Sequence, residues 1–348
     1  MESLKRIFVR SKPEYNPLNP ELAERRFWLK TIFLVHKTVL PKIAFRIILL
    51  TLLTVFLNLL KQFAGLAYHM PIQVHSLIGV CLGLLLVYRT NSSYDRYHEG
   101  RRLWGALINC SRNMIRLVNT IERDLPTQQL SNLVIAFNYA LKSRLRGKTN
   151  VDEFAPLLTA GQLALVESAK NRPVAISALI TRWIWVNCRN CKENPILFQT
   201  VDTFAMQLID AQGGLERIAL TPIPFNYVVH INQTLFYYLV TLPFCMLNDF
   251  GWFSVPSIAF VSFALLGVEH ASIEMEDPFG IDKFDLPLDV ICTNIKENLT
   301  FLSTNQLRIE SLVGRYDSEE ATTKVREVLP PQVVELSFPT DSKTTNQL

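Results

Sequence analysis

The best candidate for a catalytic or metal-binding group in this sequence is a set of acidic and His residues near position 270. His270 and Glu274 are four residues apart, so they share one face of a helix, and Glu269 is adjacent. A metal-dependent membrane enzyme could use such a set. A di-iron carboxylate site, however, needs Glu-x-x-His pairs on two helices, and the sequence contains none. It also lacks a Walker loop, a G-x-S-x-G elbow and a His-Glu-x-x-His pair, so we do not expect an enzyme.

A Cys-x-x-Cys pair, Cys188 and Cys191, is the other candidate for metal or redox chemistry. A structural zinc site needs a second pair or nearby His ligands. None of the six His residues lies between His98 and His230. We therefore expect two reduced cysteines in a helical segment, and no metal or other cofactor.

The most informative stretch of the sequence is a dense polar and aromatic run that directly follows an apolar segment. Residues 72–87 carry no charge unless His75 is protonated. Residues 88–104 then bring Arg, Asp, Asn, Ser and Tyr side chains together within a few helical turns. An apolar segment that passes straight into such a run is typical of one long helix that leaves a membrane.

Four apolar segments are the elements that would position these residues. The chain has 348 residues, of which 49% are hydrophobic and 19% charged, and its mean hydropathy is +0.18. The apolar segments are residues 40–67, 72–88, 225–248 and 250–268. About 20 helical residues cross a bilayer core of about 30 Å, so all four are candidate spans, although the second is short. The alternative is a soluble all-helical protein, but four such segments in two pairs are hard to bury in a soluble core.

The predicted fold is an all-α membrane protein with four transmembrane helices in two hairpins and a large helical cytoplasmic region. Gly213-Gly214 is expected to end the helix that begins near Pro195, and the second hairpin is expected to turn near Gly251. Predicted helix breaks are Pro126, Pro156, Pro173 and Pro195. The predicted division is an N-terminal arm with an interfacial segment at 1–40, a first hairpin at 41–88, the cytoplasmic region at 89–224, a second hairpin at 225–268, an acidic motif and helix at 269–315, and a disordered tail at 316–348.

Basic residues are concentrated beside the second span. Between Arg89 and Asp124 there are seven Arg and four acidic residues. The positive-inside rule therefore places residues 89–224 in the cytoplasm or an equivalent compartment. Interleaving with acids favours a solvated or pore-lining face over a nucleic-acid site. The N-terminal segment is short and basic and has no long Ser-rich transit segment, so we expect a multi-pass protein of a bacterial inner membrane, with a chloroplast membrane as the alternative.

Three motifs, in order along residues 39–302, together resemble those of the bestrophin family. The sequence RTNSSYDRY at 89–97 looks like the signature after the second transmembrane helix of bacterial and plant bestrophins, and its residues include Arg89, Asn91, Tyr94, Asp95 and Arg96. The sequence TPIPFNY at 221–227, with Pro222 and Pro224, resembles that family's entry to the third helix. The sequence EDPFG at 276–280, with Asp277, Pro278, Phe279 and Gly280, resembles its motif after the fourth helix.

The resemblance implies a homopentameric ion channel, nearly all helical, with one pore on the five-fold axis lined by the second helix. The family's narrow neck consists of three residues one helical turn apart, which correspond here to Val80, Leu84 and Tyr88. A second, cytoplasmic aperture corresponds to Ile196. A ring of apolar side chains cannot replace the hydration shell of an ion, so such a neck gates by dewetting.

Animal bestrophins bind calcium through a run of acids after the Pro-Phe-Gly motif, and this sequence departs from that pattern. Residues 281–286 read IDKFDL, with a Lys in place of continuous carboxylates. The resemblance is therefore to the bacterial and plant form, and we expect no calcium site. Asp277, Asp282 and Asp285 are expected to cap helices and to form salt bridges with the Arg-rich helices.

The family resemblance implies chloride or other monovalent anions as the permeant ions, and a basic cytoplasmic region favours anions. At least some bacterial relatives pass cations, so a cation-permeable channel is the alternative. A secondary transporter is a further alternative, but the two hairpins share no evident internal repeat. The expected partners are monovalent anions, the lipid bilayer and further copies of the same chain, and no nucleic acid.

Overall fold

Helices make up all the regular structure in the described part of the chain. The computed structural model describes residues 38–65, 70–121, 125, 127–282 and 284–305. Its α-helices are α1 (Leu40–Ala64), α2 (Ile72–Ile121), α3 (Gln128–Leu145), α4 (Ala160–Ser168), α5 (Arg172–Asn187), α6 (Arg189–Glu193), α7 (Pro195–Leu220), α8 (Phe225–Phe250), α9 (Ser254–Glu276) and α10 (Leu288–Thr304). The predicted arm before residue 38 and the predicted tail from residue 316 lie outside the described residues.

The first apolar segment forms α1, which is close to the predicted span. Pro41 stands in its first turn, where a missing N–H costs no intrahelical bond. Gly65 ends the helix in the left-handed region, at φ 64°, and its N–H donates to the carbonyl of Lys61 at 3.2 Å. Glycine adopts this conformation without the steric cost that other residues have, which explains the sharp end of the helix.

The second apolar segment and the polar run that follows it form one uninterrupted helix, as predicted. α2 has 50 residues, which at about 1.5 Å per residue gives a length of about 75 Å. This is more than twice the thickness of a bilayer core of about 30 Å. The helix can therefore cross a membrane and continue far beyond it.

The second apolar pair forms a helical hairpin, as predicted. α8 ends at Phe250, a 3₁₀ turn covers Gly251–Phe253, and α9 begins at Ser254. Gly251 has a φ of 50° at the reversal. Together these elements form one of three stretches, with Leu40–Ala64 and Ile72–Ile121, that are long and apolar enough to cross a membrane.

The helices of the predicted first hairpin do not form the main pairing in the bundle. α1 packs chiefly against α9 and runs antiparallel to it, because Asn58 bonds to Ser254 at one end and Lys42 bonds to Glu274 at the other. α2 packs against both α8 and α9. Both α1 and α2 therefore pack against α9. This pairing could not be predicted from which helices follow each other in the sequence.

The helices between residues 128 and 220, together with α10, share a second, larger core with the C-terminal half of α2. Trp104, Leu107 and Met114 of α2 are fully buried there, with side chains of α3, α5, α7 and α10. Pro156 lies in a 3₁₀ turn, while Pro173 and Pro195 begin α5 and α7. These proline predictions agree with the structure, and Pro126 lies outside the described residues.

The prediction that Gly213-Gly214 ends a helix was wrong. α7 continues through both glycines to Leu220. A Cβ on Gly214 would lie 2.8 Å from Cδ1 of Leu103 on α2, so this glycine permits close packing of α7 on α2. Gly214 is therefore needed because a larger side chain would not fit between α7 and α2, and not because the backbone turns there.

Candidate ion pathway

Val80, Leu84 and Tyr88 lie on one exposed face of α2. Their exposed fractions are 64%, 67% and 63%. A spacing of four residues keeps side chains on neighbouring positions of the same helical face. The three predicted neck residues therefore form a stripe on the surface of this chain, whereas Leu82 and Leu86 on the opposite face are buried.

The same exposed stripe continues along α2 with polar and basic side chains. Its exposed residues after the neck are Asn91, Tyr94, Asp95, His98, Arg101, Arg102, Ala106, Asn109, Arg112, Arg116 and Thr120. Four of these are Arg and one is acidic. Arg102 also forms an ion pair with Glu99 at 2.8 Å, which offsets one of these charges. The stripe therefore changes from apolar to predominantly basic within one helix.

Residues at the entry to α8 support the last neck position. The ring of Tyr88 meets that of Tyr227 edge-on, with centroids 5.6 Å apart. The hydroxyl of Tyr227 donates to the carbonyl of Leu85 at 3.3 Å. Pro224 precedes the helix and fixes its first turn, and Pro222 lies exposed before it. The TPIPFNY motif thus positions α8 against the end of the apolar stripe.

Arg89 follows the neck in sequence but points away from the exposed stripe. Its side chain is 1% exposed, and Nη1 donates to Oδ1 of Asn232 on α8 at 3.1 Å. The guanidinium also lies 3.7 Å from Oε1 of Glu269 and 3.8 Å from Oε2 of Glu276, both on α9. These four residues, called the Arg89 cluster below, connect three helices through one cation.

The Arg89 cluster is a strong determinant of how α2 is held. Removing one partner of a buried ion pair typically costs about 3–5 kcal/mol, because the other charge stays buried without compensation. Nε of Arg89 and Oε2 of Glu269 have no hydrogen-bond partner in the described part of the chain. Oε2 of Glu269 lies 3.7 Å from the exposed guanidinium of Arg46 on α1. The cluster therefore extends to all four helices of the membrane bundle.

Arg96 joins the ends of two helices. Its Nε donates to the carbonyl of Glu276 at 3.0 Å, and its Nη2 donates to the carbonyl of Ile218 at 2.6 Å. Nη1 donates to the carbonyl of Thr221. These carbonyls lie at the C-terminal ends of α7 and α9, where unsatisfied acceptors and the helix dipole both favour a cation. Arg96 is thus a shared C-terminal cap.

The Pro-Phe-Gly segment packs onto α2 at a glycine. Phe279 is buried, and a Cβ on Gly100 would lie 3.1 Å from its ring. Pro278 is buried beside it, and its carbonyl accepts the N–H of Leu286 at 2.9 Å. The EDPFG motif therefore packs on α2 at Gly100, just after the RTNSSYDRY motif, and the bond from Arg96 to the Glu276 carbonyl joins the two motifs directly.

The acidic residues of this segment stabilise a turn rather than the salt bridges that we expected. Oδ1 of Asp277 accepts the N–H of Phe279 at 3.4 Å, and Oδ2 of Asp285 accepts the N–H of Asp282 at 2.6 Å. A Cβ on Gly280 would lie 2.5 Å from that same carboxylate. Arg89 pairs instead with Glu269 and Glu276 on α9, and Arg146 pairs with the exposed Asp289 in the first turn of α10.

Ile196 lies in the first turn of α7 and is 72% exposed. Its N–H donates to Oδ1 of Asn194, which caps the helix at 3.0 Å. The exposed position is compatible with an aperture, which remains a prediction for this residue.

Cys188 and Cys191 are joined in a disulfide, so the expectation of two reduced thiols was wrong. Their Cα atoms are 5.2 Å apart, within the range for a disulfide. Both residues are buried where α5 passes into α6. The sequence spacing fits a short helical turn, which brings the two sulfur atoms together.

The His270 and Glu274 pair belongs to the end of α9. Nε2 of His270 lies 3.5 Å from Oε1 of Glu274, and that oxygen also accepts from Nζ of Lys42 at 3.0 Å. Within the described residues, no group of three or more His, Cys, Asp or Glu residues is arranged to hold a metal ion. The pair therefore serves as a link between α1 and α9.

Comparison with known proteins gives a consistent result. The model of the family described as bacterial and fungal bestrophin protein matches residues 21–301. A voltage-dependent anion channel-forming protein of a Nostoc species is 35% identical over 81% of this chain and 94% of its own length. The protein of that name from Escherichia coli K12 is 31% identical over 79% of this chain and 91% of its own length.

Solved structures agree with the sequence comparison. A point variant of the bestrophin homologue from Klebsiella pneumoniae superposes with a TM-score of 0.72 at 27% identity. The match covers 75% of this chain and 99% of the Klebsiella chain. The helical arrangement described above is therefore one already observed in a bacterial membrane protein.

Proposed function

The chain belongs to the bacterial and fungal bestrophin family, and we propose that it forms a homopentameric anion channel in a membrane. In this proposal α2 of each protomer faces a common five-fold axis. Val80, Leu84 and Tyr88 form the neck of the pore, and Ile196 forms the cytoplasmic aperture. α1, α8 and α9 complete the four spans that hold α2 in the bilayer.

One observation carries the proposal: the exposed stripe on α2 that changes from apolar to basic. On a single chain in water, this stripe of three exposed apolar side chains would be an unfavourable surface. Facing copies of themselves around an axis, they would form a constriction that excludes water and therefore resists ions. Arg101, Arg112 and the other Arg residues further along the stripe would then face the wider vestibule.

The basic stripe supports anions as the permeant species, chloride among them. Each protomer contributes four exposed Arg against Asp95 and Glu99, and five copies would sum to a positive field that concentrates anions in the vestibule. The names of the relatives from Nostoc and Escherichia coli also specify anions. A cation-permeable channel remains the second candidate, because Asp95 stands on the stripe closest to the neck.

Alanine substitution in the neck tests the pore assignment. Leu84→Ala and Val80→Ala should raise unitary conductance severalfold in a planar bilayer, because smaller side chains widen and wet the constriction. Leu49→Ala is the matched control, since Leu49 is similarly exposed but lies on α1. Equal effects of Leu84→Ala and Leu49→Ala, or unchanged currents in all variants, would refute the assignment.

Reversal potentials in a chloride gradient test the choice of ion. An anion channel gives a reversal potential near the chloride equilibrium potential, and replacement of Arg112 and Arg116 by Gln should move it toward zero. A wild-type reversal potential near the cation equilibrium value would favour the second candidate. Saturable flux without unitary steps would instead indicate a transporter.

The family assignment and the apolar helices make this an integral membrane protein, and we propose a bacterial inner membrane as its location. We also propose calcium-independent gating, because the carboxylate of Asp285 is engaged by the backbone of Asp282. Chelation of calcium should leave the current unchanged, and a steep calcium dependence would contradict this part of the proposal.

A further inference from the structure

A cavity of about 260 Å³ lies in the cytoplasmic region and is independent of the ion pathway. It is formed between the C-terminal end of α3, the segment after it, and the start of α5. A water molecule occupies about 30 Å³ in the liquid, so the space corresponds to about nine waters. It is large enough for a small polar ligand.

The wall of the cavity is strongly cationic. Arg144, Lys148, Lys170 and Arg172 all line it, and none of its lining residues is acidic. Nε of Arg144 is paired with Glu216 at 2.6 Å, and Nη1 of Arg172 donates to the carbonyl of Thr149 at 2.6 Å. The ammonium groups of Lys148 and Lys170 have no hydrogen-bond or ion-pair partner among the described residues. A surplus of positive charge therefore faces the space.

A hydroxyl also lines the cavity. Ser143 is 6% exposed as a whole residue, and its Oγ forms no hydrogen bond within the part of the chain that the structure describes. The hydroxyl is therefore available to a molecule in the cavity, and a ligand with acceptor oxygens can accept a hydrogen bond from it.

The start of α5 adds a further preference for anions. Asn171 occupies the N-cap position, but its side chain does not cap the helix. Its Oδ1 accepts from Gln212 and its Nδ2 donates to Glu216 instead. The first turn, with Arg172 and Pro173 at the cavity wall, thus keeps the uncapped positive end of the helix dipole.

From these four features we propose that the cavity binds a phosphate group, either as inorganic phosphate or as part of a small phosphomonoester. A tetrahedral dianion has several oxygens and can accept from two ammonium groups, a guanidinium and a hydroxyl at once. Chloride has one centre and would leave part of this donor set unused. Lys and Arg bind phosphate through charge-assisted hydrogen bonds, which are the stronger class.

Calorimetric titration of the purified full-length channel with inorganic phosphate, at constant ionic strength, tests the proposal. The wild type should bind saturably. Lys170→Gln should weaken binding by at least about tenfold, because a hydrogen bond to a charged group contributes about 1.5–3 kcal/mol. Ser143→Ala should weaken it severalfold. Lys170 is exposed, so its replacement should leave the fold intact.

Lys296→Gln is the matched control, because it removes the same charge from an exposed position on α10. Phosphate affinity should not change in this variant. Absence of saturable binding in the wild type, undiminished binding in Lys170→Gln and Ser143→Ala, or an equal loss in Lys296→Gln would each overturn the proposal. Because no current is measured, the result is independent of the channel assignment.

Glycerol 3-phosphate distinguishes the two sources of the phosphate group. Tighter binding than inorganic phosphate, with the same sensitivity to Lys170→Gln, identifies a phosphomonoester that also uses the apolar floor at Phe154 and Ala140. Equal or weaker binding identifies inorganic phosphate. Either result supports the site, whereas binding that does not respond to Lys170→Gln contradicts it.

Discussion

The two halves of α2 place their apolar side chains in opposite environments. In the membrane half, Val80, Leu84 and Tyr88 are exposed on the surface of the chain. In the C-terminal half, Trp104 and Leu107 are fully buried under neighbouring helices. One half of α2 therefore contributes side chains to a hydrophobic core, and the other half exposes apolar side chains on the surface of the chain.

This difference separates stability from conduction. The C-terminal half of α2 is fixed by burial within the chain, so substitutions there should act on folding. The exposed side chains of the N-terminal half bury little area within the chain, so they contribute little to its stability. Substitutions there should instead change the interactions that this surface makes with its surroundings. Paired variants in the two halves can test this division.

The largest effect should come from the buried core. Trp104→Ala removes the largest fully buried side chain and should lower the free energy of unfolding by about 3–5 kcal/mol. Leu84→Ala should change it by less than about 1 kcal/mol while changing conductance. Thermal unfolding in detergent measures both. If Leu84→Ala were as destabilising as Trp104→Ala, the two halves would not differ in the way we describe.

Two glycines of α2 give an intermediate effect. Gly100→Ala places a methyl group 3.1 Å from the buried ring of Phe279, and overpacking of this kind costs about 1–3 kcal/mol. Gly83→Ala, in the membrane half, meets no atom within 4 Å and should cause no loss of stability. A comparison of the two melting temperatures is sufficient. Equal losses would show that Gly83 also has a close neighbour in the assembled channel.

The smallest effect should be a pH dependence of stability that arises from Glu216 on α7, the helix that packs against the C-terminal half of α2. Burial alone would raise the pKa of Glu216, but hydrogen bonds from Gln212, Arg144 and Asn171 outweigh it and lower the pKa. A lowered pKa stabilises the fold above the unfolded value of about 4.3. That contribution, up to about 1 kcal/mol, is lost as the pH falls through the folded pKa.

Glu216→Gln should therefore show a smaller drop in the free energy of unfolding than the wild type between pH 5 and pH 3. This interval extends roughly one pH unit to each side of the ordinary pKa of a carboxyl group. Glu167→Gln is the control, since Glu167 is exposed on α4. Unfolding midpoints in denaturant at several pH values provide the measurement. Identical pH profiles for wild type and Glu216→Gln would exclude this carboxylate as a source of acid sensitivity.

Much of the fold could be predicted from the sequence because its signals are local. Apolar length defined α1 and the second hairpin, and the uninterrupted change from apolar to polar residues defined α2. Prolines marked the starts of α5 and α7. Each of these features depends on a few consecutive residues, so one chain was sufficient to reveal them.

Long-range pairings were harder to predict. Glu269 attracted attention as a potential metal ligand, but its partner is Arg89, 180 positions earlier in the chain. The rarity of charged groups in apolar segments could have suggested this pair, since such groups need partners. Gly214 was misinterpreted for a related reason: the space that it provides for Leu103 of α2 is visible only once the two helices are packed.

The shared cap at Arg96 has a mechanical consequence. A rotation of α2 that moved the Arg96 guanidinium would break its hydrogen bonds to the ends of both α7 and α9. Carbonyl groups that lose both water and their donor raise the free energy, so α2, α7 and α9 should rotate together as one rigid body. Because Ile196 lies at the far end of α7, displacement of α2 near the neck would be transmitted along about 39 Å of that 26-residue helix. In the channel that we propose, the neck and the aperture at Ile196 would then widen or narrow together.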